Sequence, residues 1–172
     1  KSKKYLARSF FFLLYQFINH RYSSVDVVFI SHTTVANEVN EEQFFTRATG
    51  GGTMASSGLE KALEITEKRY HPNNWNIYTF YCGDGENWPS DNEESISLFR
   101  KLKEINQLIC YTEIGEERSH RDSLSFFASF TGEGLWDKIK PLEDKHFKKV
   151  RLVTHKDIWK SFRKLFGGII SG

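Results

Sequence analysis

The chain is predicted to be an α/β domain, a three-layer sandwich around a mostly parallel central sheet. Three observations predict it. Short β-branched and aromatic runs alternate with longer segments of helical periodicity, the pattern of strand–helix–strand units with right-handed crossovers. Glycine- and aspartate-bearing turns fall between those segments, where chain direction must reverse. The 172 residues are enough for one sizeable core and too few for two.

Composition narrows the class further. Hydrophobic residues make up 39% and charged residues 27%, a globular balance that excludes disorder. Aromatics reach 15% and phenylalanine alone counts 15, so a Phe-rich core is expected. A formal charge of +2 gives no reason to expect nucleic acid or a membrane surface as partner. Cys82 and Cys110 lie in strand-like runs without metal-ligand spacing, and are expected to be buried reduced thiols of a cytoplasmic protein. The apolar run from Phe10 to Ile18 is far shorter than the ~20 residues of a membrane span. It reads as a helix buried on most sides.

In order, residues 3–20 form the first helix, with Tyr5, Leu6, Phe10, Leu13, Leu14, Phe17 and Ile18 facing the core. Residues 25–30, Val-Asp-Val-Val-Phe-Ile, read as an inner strand of a covered sheet. Residues 33–39 continue as a short antiparallel edge strand, and 41–45 as a helical turn or loop. A helix follows over 54–69, with Ala55, Leu59, Ala62, Leu63 and Thr66 on one face, closed by His71-Pro72. Residues 75–82 form a strand. Asp91 to Glu94 starts a helix carrying Ile96, Phe99, Leu102 and Ile105, and residues 108–114 form another strand. Residues 115–122 read as a loop and 124–130 as a helix ending at Gly132 and Gly134. A strand over 149–153 and an amphipathic helix over 157–166 complete the chain.

Two stretches carry the candidate site. In Thr49-Gly50-Gly51-Gly52-Thr53 the consecutive glycines allow a sharp turn and close approach of the backbone. Thr53 then stands where a helix begins, a position able to present a hydroxyl or hold an anion. In Cys82-Gly83-Asp84-Gly85-Glu86-Asn87 the carboxylate of Asp84 follows a strand C-terminus. In open α/β sheets ligands bind beyond that edge, so the two turns are expected to meet there. Thr53 and Asp84 are hard oxygen donors suited to Mg²⁺ or Mn²⁺. The plainer reading is a helix cap for the threonine and a turn for Asp84-Gly85.

The order Gly-Gly-Thr, helix, strand, Asp-Gly resembles the second and third motifs of a von Willebrand factor A domain, where they form a metal-ion-dependent adhesion site. Wider wording is similar to the YhbH/YeaH family (UPF0229, DUF444), some of whose Bacillus members are linked to sporulation. It lies in Phe29-Ile30-Ser31-His32-Thr33-Thr34, Glu41-Glu42-Gln43-Phe44-Phe45, Gly51-Gly52-Thr53, Lys68-Arg69-Tyr70-His71-Pro72 and Trp75-Asn76-Ile77-Tyr78. The resemblance implies a von Willebrand A or Rossmann-like sheet with Thr53 and Asp84 as metal ligands, Asp84 acting directly or through water. Gly83 stands where many such domains carry a hydroxyl residue. Their opening Asp-x-Ser-x-Ser strand has no counterpart in this sequence. A fragment is therefore expected, lacking its first strand, with a gap in its sheet and no metal bound on its own.

On this reading the domain is a non-catalytic interaction module that meets a protein partner through a divalent metal, with Glu86, Asn87 and Trp88 forming the rim. Tryptophan is favoured at such contacts. The family context implies a serine kinase of the PrkA type or a SpoVR-type protein as partner, in a stress or sporulation pathway. Self-association through an exposed sheet edge is a structural alternative. The enzymatic alternative is a metal-assisted hydrolase or a phosphate-handling protein built on the glycine turn. Nothing in the sequence furnishes a P-loop, a Gly-x-Ser-x-Gly elbow or an H-E-x-x-H motif. Among the histidines only His32, at a strand end, draws notice, and it reads as a surface or loop residue.

Overall fold

The computed structural model describes residues 2–46, 53–115 and 134–170. The turn glycines Gly50, Gly51 and Gly52, the loop expected from 116 onward and the helix expected over 124–130 lie outside the described residues. The elements run α1 (Ser2–Arg21), β1 (Phe29–His32), β2 (Ala36–Val39), α2 (Glu41–Thr46), α3 (Ala55–Arg69) and β3 (Tyr78–Gly83). They continue α4 (Asn92–Ile105), β4 (Leu108–Ile114), α5 (Leu135–Lys138), β5 (Phe147–Leu152) and α6 (His155–Ile170).

Strands β3, β4 and β5 form a parallel sheet with β4 in the middle, Tyr81 paired with Tyr111 and Tyr111 with Lys149. Alternate residues of β4 feed two cores. On one face Ile109 and Tyr111 pack with Leu59, Phe99, Leu102 and Phe147 under α3 and α4. On the other, Cys110 and Ile114 pack with Phe10, Val150, Phe162 and Phe166 under α1 and α6. Burial on both faces is what the near-continuous apolar run of β4 requires. The Phe-rich expectation holds in detail: Phe17 meets Phe162 and Phe166 at ring distances of 4.9 Å.

Strands β1 and β2 form a separate antiparallel pair, Phe29 opposite Val39 and His32 opposite Ala36. This corrects the inner strand expected over 25–30. Residues 25–28 carry no pairing, and β1 starts at Phe29 because the tight turn at Thr33, whose N–H donates to the Val35 carbonyl, sets the hairpin register. Helix α1 is also less enclosed than expected. Leu6, Phe10 and Leu14, spaced four apart, form one buried stripe, whereas Tyr5 is 61% and Phe12 55% exposed. A cleft of about 780 Å³ separates the two sheets, walled by β1 and β3 and covered by α1 and α3.

Candidate functional site

Strand β3 delivers its loop to the edge where the sequence placed the site. Gly83 ends the strand and Asp84 follows, exposed, its Oδ1 accepting a hydrogen bond from the Glu86 N–H (3.2 Å). Gly85 sits at φ +83°, which an L side chain adopts only at a cost. A Cβ there would also lie 3.0 Å from the Glu113 carboxylate. The turn is therefore held at the end of the neighbouring strand, where Glu113 in turn pairs with Arg151 at 2.6 Å.

The second stretch meets it directly. Thr53 forms a parallel bridge with Asn87, so the segment entering α3 runs beside the loop leaving β3. Thr53 is not the helix cap. Met54 holds that position and makes no side-chain capping bond. The cap comes instead from the other loop: the Ala55 N–H donates to Asn87 Oδ1 (2.8 Å) and the Ser56 N–H to Asp91 Oδ2 (3.0 Å). Helix N-termini leave such N–H groups without partners inside the helix, and here two of them are satisfied from 32 and 35 residues away.

Asp91 is the hub of this junction. Its carboxylate, 3% exposed, also accepts from the hydroxyl of Ser56 and from that of Ser95 (2.8 Å). Burial alone would raise its pKa, but the hydrogen bonds from Ser56, Ser95 and Asn87 outweigh it and hold the group below the usual carboxylate value. Asn87 is fixed from its other end by donating to Asn92 Oδ1 (2.9 Å). The Met54 N–H and the Ser57 hydroxyl both donate to the Thr33 carbonyl, at 3.0 and 3.1 Å, tying the β1–β2 turn to the same edge.

Around this rigid junction the rim is open. Glu86 is exposed, Asn87 half-buried, and Trp88 47% exposed, while Pro89 after it opens a short 3-10 turn. Trp88 therefore does not pack its loop down. Gly83 has little room for a larger side chain, since a Cβ there would meet the Tyr81 hydroxyl at 3.0 Å.

As cation ligands, Thr53 and Asp84 offer one neutral and one charged oxygen on adjoining segments. Among the described residues no group of three or more His, Cys, Asp or Glu side chains is placed to hold a metal. An octahedral Mg²⁺ shell ordinarily draws one or two carboxylates and several waters, so these two oxygens are of a type it accepts but do not make a complete protein cage.

Two other positions differ from expectation. His32 is no surface loop residue: it ends β1, leans on Gly58 and Tyr81, and carries a buried Nδ1 without a hydrogen-bond partner. Burial lowers its pKa against opposing contributions from the Met54 backbone and Asp91. Cys110 is buried as expected, but Cys82 is only half-buried and borders the cleft. Burial pushes both thiols up to about 12. Nothing local in the sequence marks Asp91, Ser56 and Ser95, since a carboxylate that caps a distant helix leaves no short pattern.

The fold and this edge define an α/β domain with a loop-built site at the C-terminal end of a parallel sheet. The chain belongs to the family described as protein of unknown function (DUF444), whose model matches residues 1–168. Relatives include a UPF0229 protein of Ruminiclostridium cellulolyticum, 59% identical over 66% of this chain and 29% of its own length. A UPF0229 protein of Clostridium perfringens is 38% identical over 94% of this chain and 38% of its own. One from Bacillus velezensis is 34% identical over 99% of this chain and 40% of its own. The chain thus spans about a third of the length of the curated relatives it matches. No solved structure matches it. No helix among the described residues is long and apolar enough to cross a membrane.

Proposed function

We propose that this domain is a non-catalytic interaction module of a cytoplasmic protein, recognising a protein partner at the edge formed by Thr53, Asp84 and the Glu86–Trp88 rim. The observation that supports the reading is the bridge between Thr53 and Asn87, which runs the Thr53 segment beside the loop that carries Asp84 and the exposed Trp88. A rigid scaffold with an exposed aromatic and a carboxylate at its rim suits binding better than turnover. A divalent cation held in part by Thr53 and Asp84 would supply a positive centre for a partner carboxylate. The family resemblance directs the search for that partner toward serine kinases of the PrkA type and SpoVR-type proteins in a sporulation or stress-response setting.

The phosphate-handling alternative has less support. The first N–H groups of α3, which such a protein would aim at phosphate, are already engaged by Asn87 and Asp91. The test is calorimetric titration of Mg²⁺ and Mn²⁺ into the complete gene product and its Asp84→Ala variant. Binding that the variant loses supports the shared site. Equal binding by both, or none by either, overturns the metal bridge.

A further inference from the structure

The net charge of +2 conceals how unevenly the charge is placed. Helices α1 and α6 form the outer layer over one face of the parallel sheet, closing the core around Phe10, Phe162 and Phe166. They carry eight Lys and Arg against a single Asp, an excess of seven in a chain whose whole excess is two. The one acid, Asp157, is turned back to the helix start, where it accepts the N–H groups of Val153 and Thr154 at 3.0 and 2.8 Å.

The outward side of α6 is a row of cations. Lys156, Lys160, Arg163 and Lys164 all face solvent, and with them Trp159, 52% exposed. Among the described residues neither Lys156 nor Arg163 has an ion-pair or hydrogen-bond partner, and Lys160 meets only the field of Asp157. Lys156, Lys160 and Lys164 recur every four residues, and like charges at that spacing weaken a helix. Lys156 also stands in the first turn, where the helix dipole opposes a cation. Helix stability gives no reason for such a row. Tyr5 of α1, largely exposed, meets the His155 ring at 5.0 Å, so the face continues across the seam onto α1. Its borders are acidic, with Glu41 and Glu42 beside Phe12 on one side and Glu143 near Lys164 on the other.

We propose that this face docks on an anionic phospholipid bilayer, resting on the headgroups. The proposal is independent of the edge at Thr53 and Asp84. Three features select a bilayer over other anions. The outward cations are mostly lysines, which protein–protein contacts disfavour. Tyr and Trp are the side chains enriched at headgroup level, each with an apolar body and a polar tip. Both helices are seated on the sheet along a buried stripe, so neither projects to enter a nucleic-acid groove. Each basic residue near an anionic leaflet strengthens attachment about fivefold, so Lys156, Lys160 and Arg163 together contribute on the order of 10²-fold.

Co-sedimentation of the complete gene product with lipid vesicles is the test. Vesicles of equal parts phosphatidylglycerol and phosphatidylcholine should retain the protein, vesicles of phosphatidylcholine alone should not, and added salt should release it. The combined variant Lys156→Gln, Lys160→Gln, Arg163→Gln should bind on the order of 10²-fold more weakly. These side chains lie outside the core, so the variant should unfold at the wild-type temperature. Trp159→Ala should weaken binding while leaving its salt dependence in place. Equal retention on phosphatidylcholine alone, retention on neither vesicle, or a triple variant retained like wild type would each overturn the proposal. So would capture of polyglutamate or a single-stranded oligonucleotide in place of the anionic vesicles, which would assign the face to an acidic polymer.

Discussion

Replacing Asp91 by alanine removes the acceptor of three hydrogen bonds from Ser56 and Ser95. The Ser56 N–H, the Ser56 hydroxyl and the Ser95 hydroxyl all end on its carboxylate, and Ser56 and Ser95 are 7% and 0% exposed. A buried donor left without a partner costs about 1–3 kcal/mol. Water entering the vacated space recovers part of this for the two hydroxyls, so the expected loss is about 3–5 kcal/mol. For a chain of this size each kcal/mol moves Tm by about 2–4 °C, which predicts a fall of at least 6 °C or so. Urea unfolding at pH 7 should show a lower midpoint at unchanged slope.

The pH dependence follows from the direction of the shift. The folded-state pKa of Asp91 lies below its unfolded value of about 3.9, so its contribution is fully present above that pH. It is lost as pH falls through the folded value. The difference between wild type and Asp91→Ala should therefore narrow as pH falls below about 3.9. A loss under about 1 kcal/mol at pH 7, or a difference that widens on acidification, would refute the view that this carboxylate clamps α3 to the loop after β3.

Three further outcomes follow from the packing. Phe99, fully buried against Tyr81, Tyr111 and Phe147, should cost about 3–5 kcal/mol as Phe99→Ala in the same urea assay. Gly85→Ala should cost roughly 1–2 kcal/mol through its left-handed backbone, and differential scanning calorimetry would read it as a fall in Tm. With both thiols near 12, the native protein at pH 8 should react with a disulfide reagent on the order of 10³-fold more slowly than the unfolded chain. Fast labelling of the native state would show that one thiol is ionised far more readily than its surroundings allow.

The parts of the fold that are legible in the sequence are those whose side chains repeat. Helix α4 announces itself through Ile96, Phe99, Leu102 and Ile105, and β4 through an apolar run too short for a helix. The limits of β1 were hidden because Val25, Val27 and Val28 carry β propensity that pairing does not use. Propensity says that a segment can be a strand, while the turn decides where the ladder starts. The meeting of Thr53 with the Asp84 loop follows from where strands end in such sheets. The means of joining them does not: Asn87 and Asp91 act through contacts 32 and 35 residues distant, and no short pattern encodes those. His32 was misplaced for a related reason, since its burial comes from the bare surface of Gly58 in another element.

The borrowed cap also bears on how the chain acquires its structure. A helix closed by its own threonine or serine can begin as soon as its residues leave the unfolded ensemble. The start of α3 instead waits for a loop that is positioned only when β3 has joined the sheet and α4 has begun. Closing that long loop costs entropy before the contact returns any stability. The first turn of α3 and the first turn of α4 should therefore form and open together, as one late unit bridging two segments of sequence. The candidate binding edge is built on that unit, so it comes into being at the end of folding and not during it.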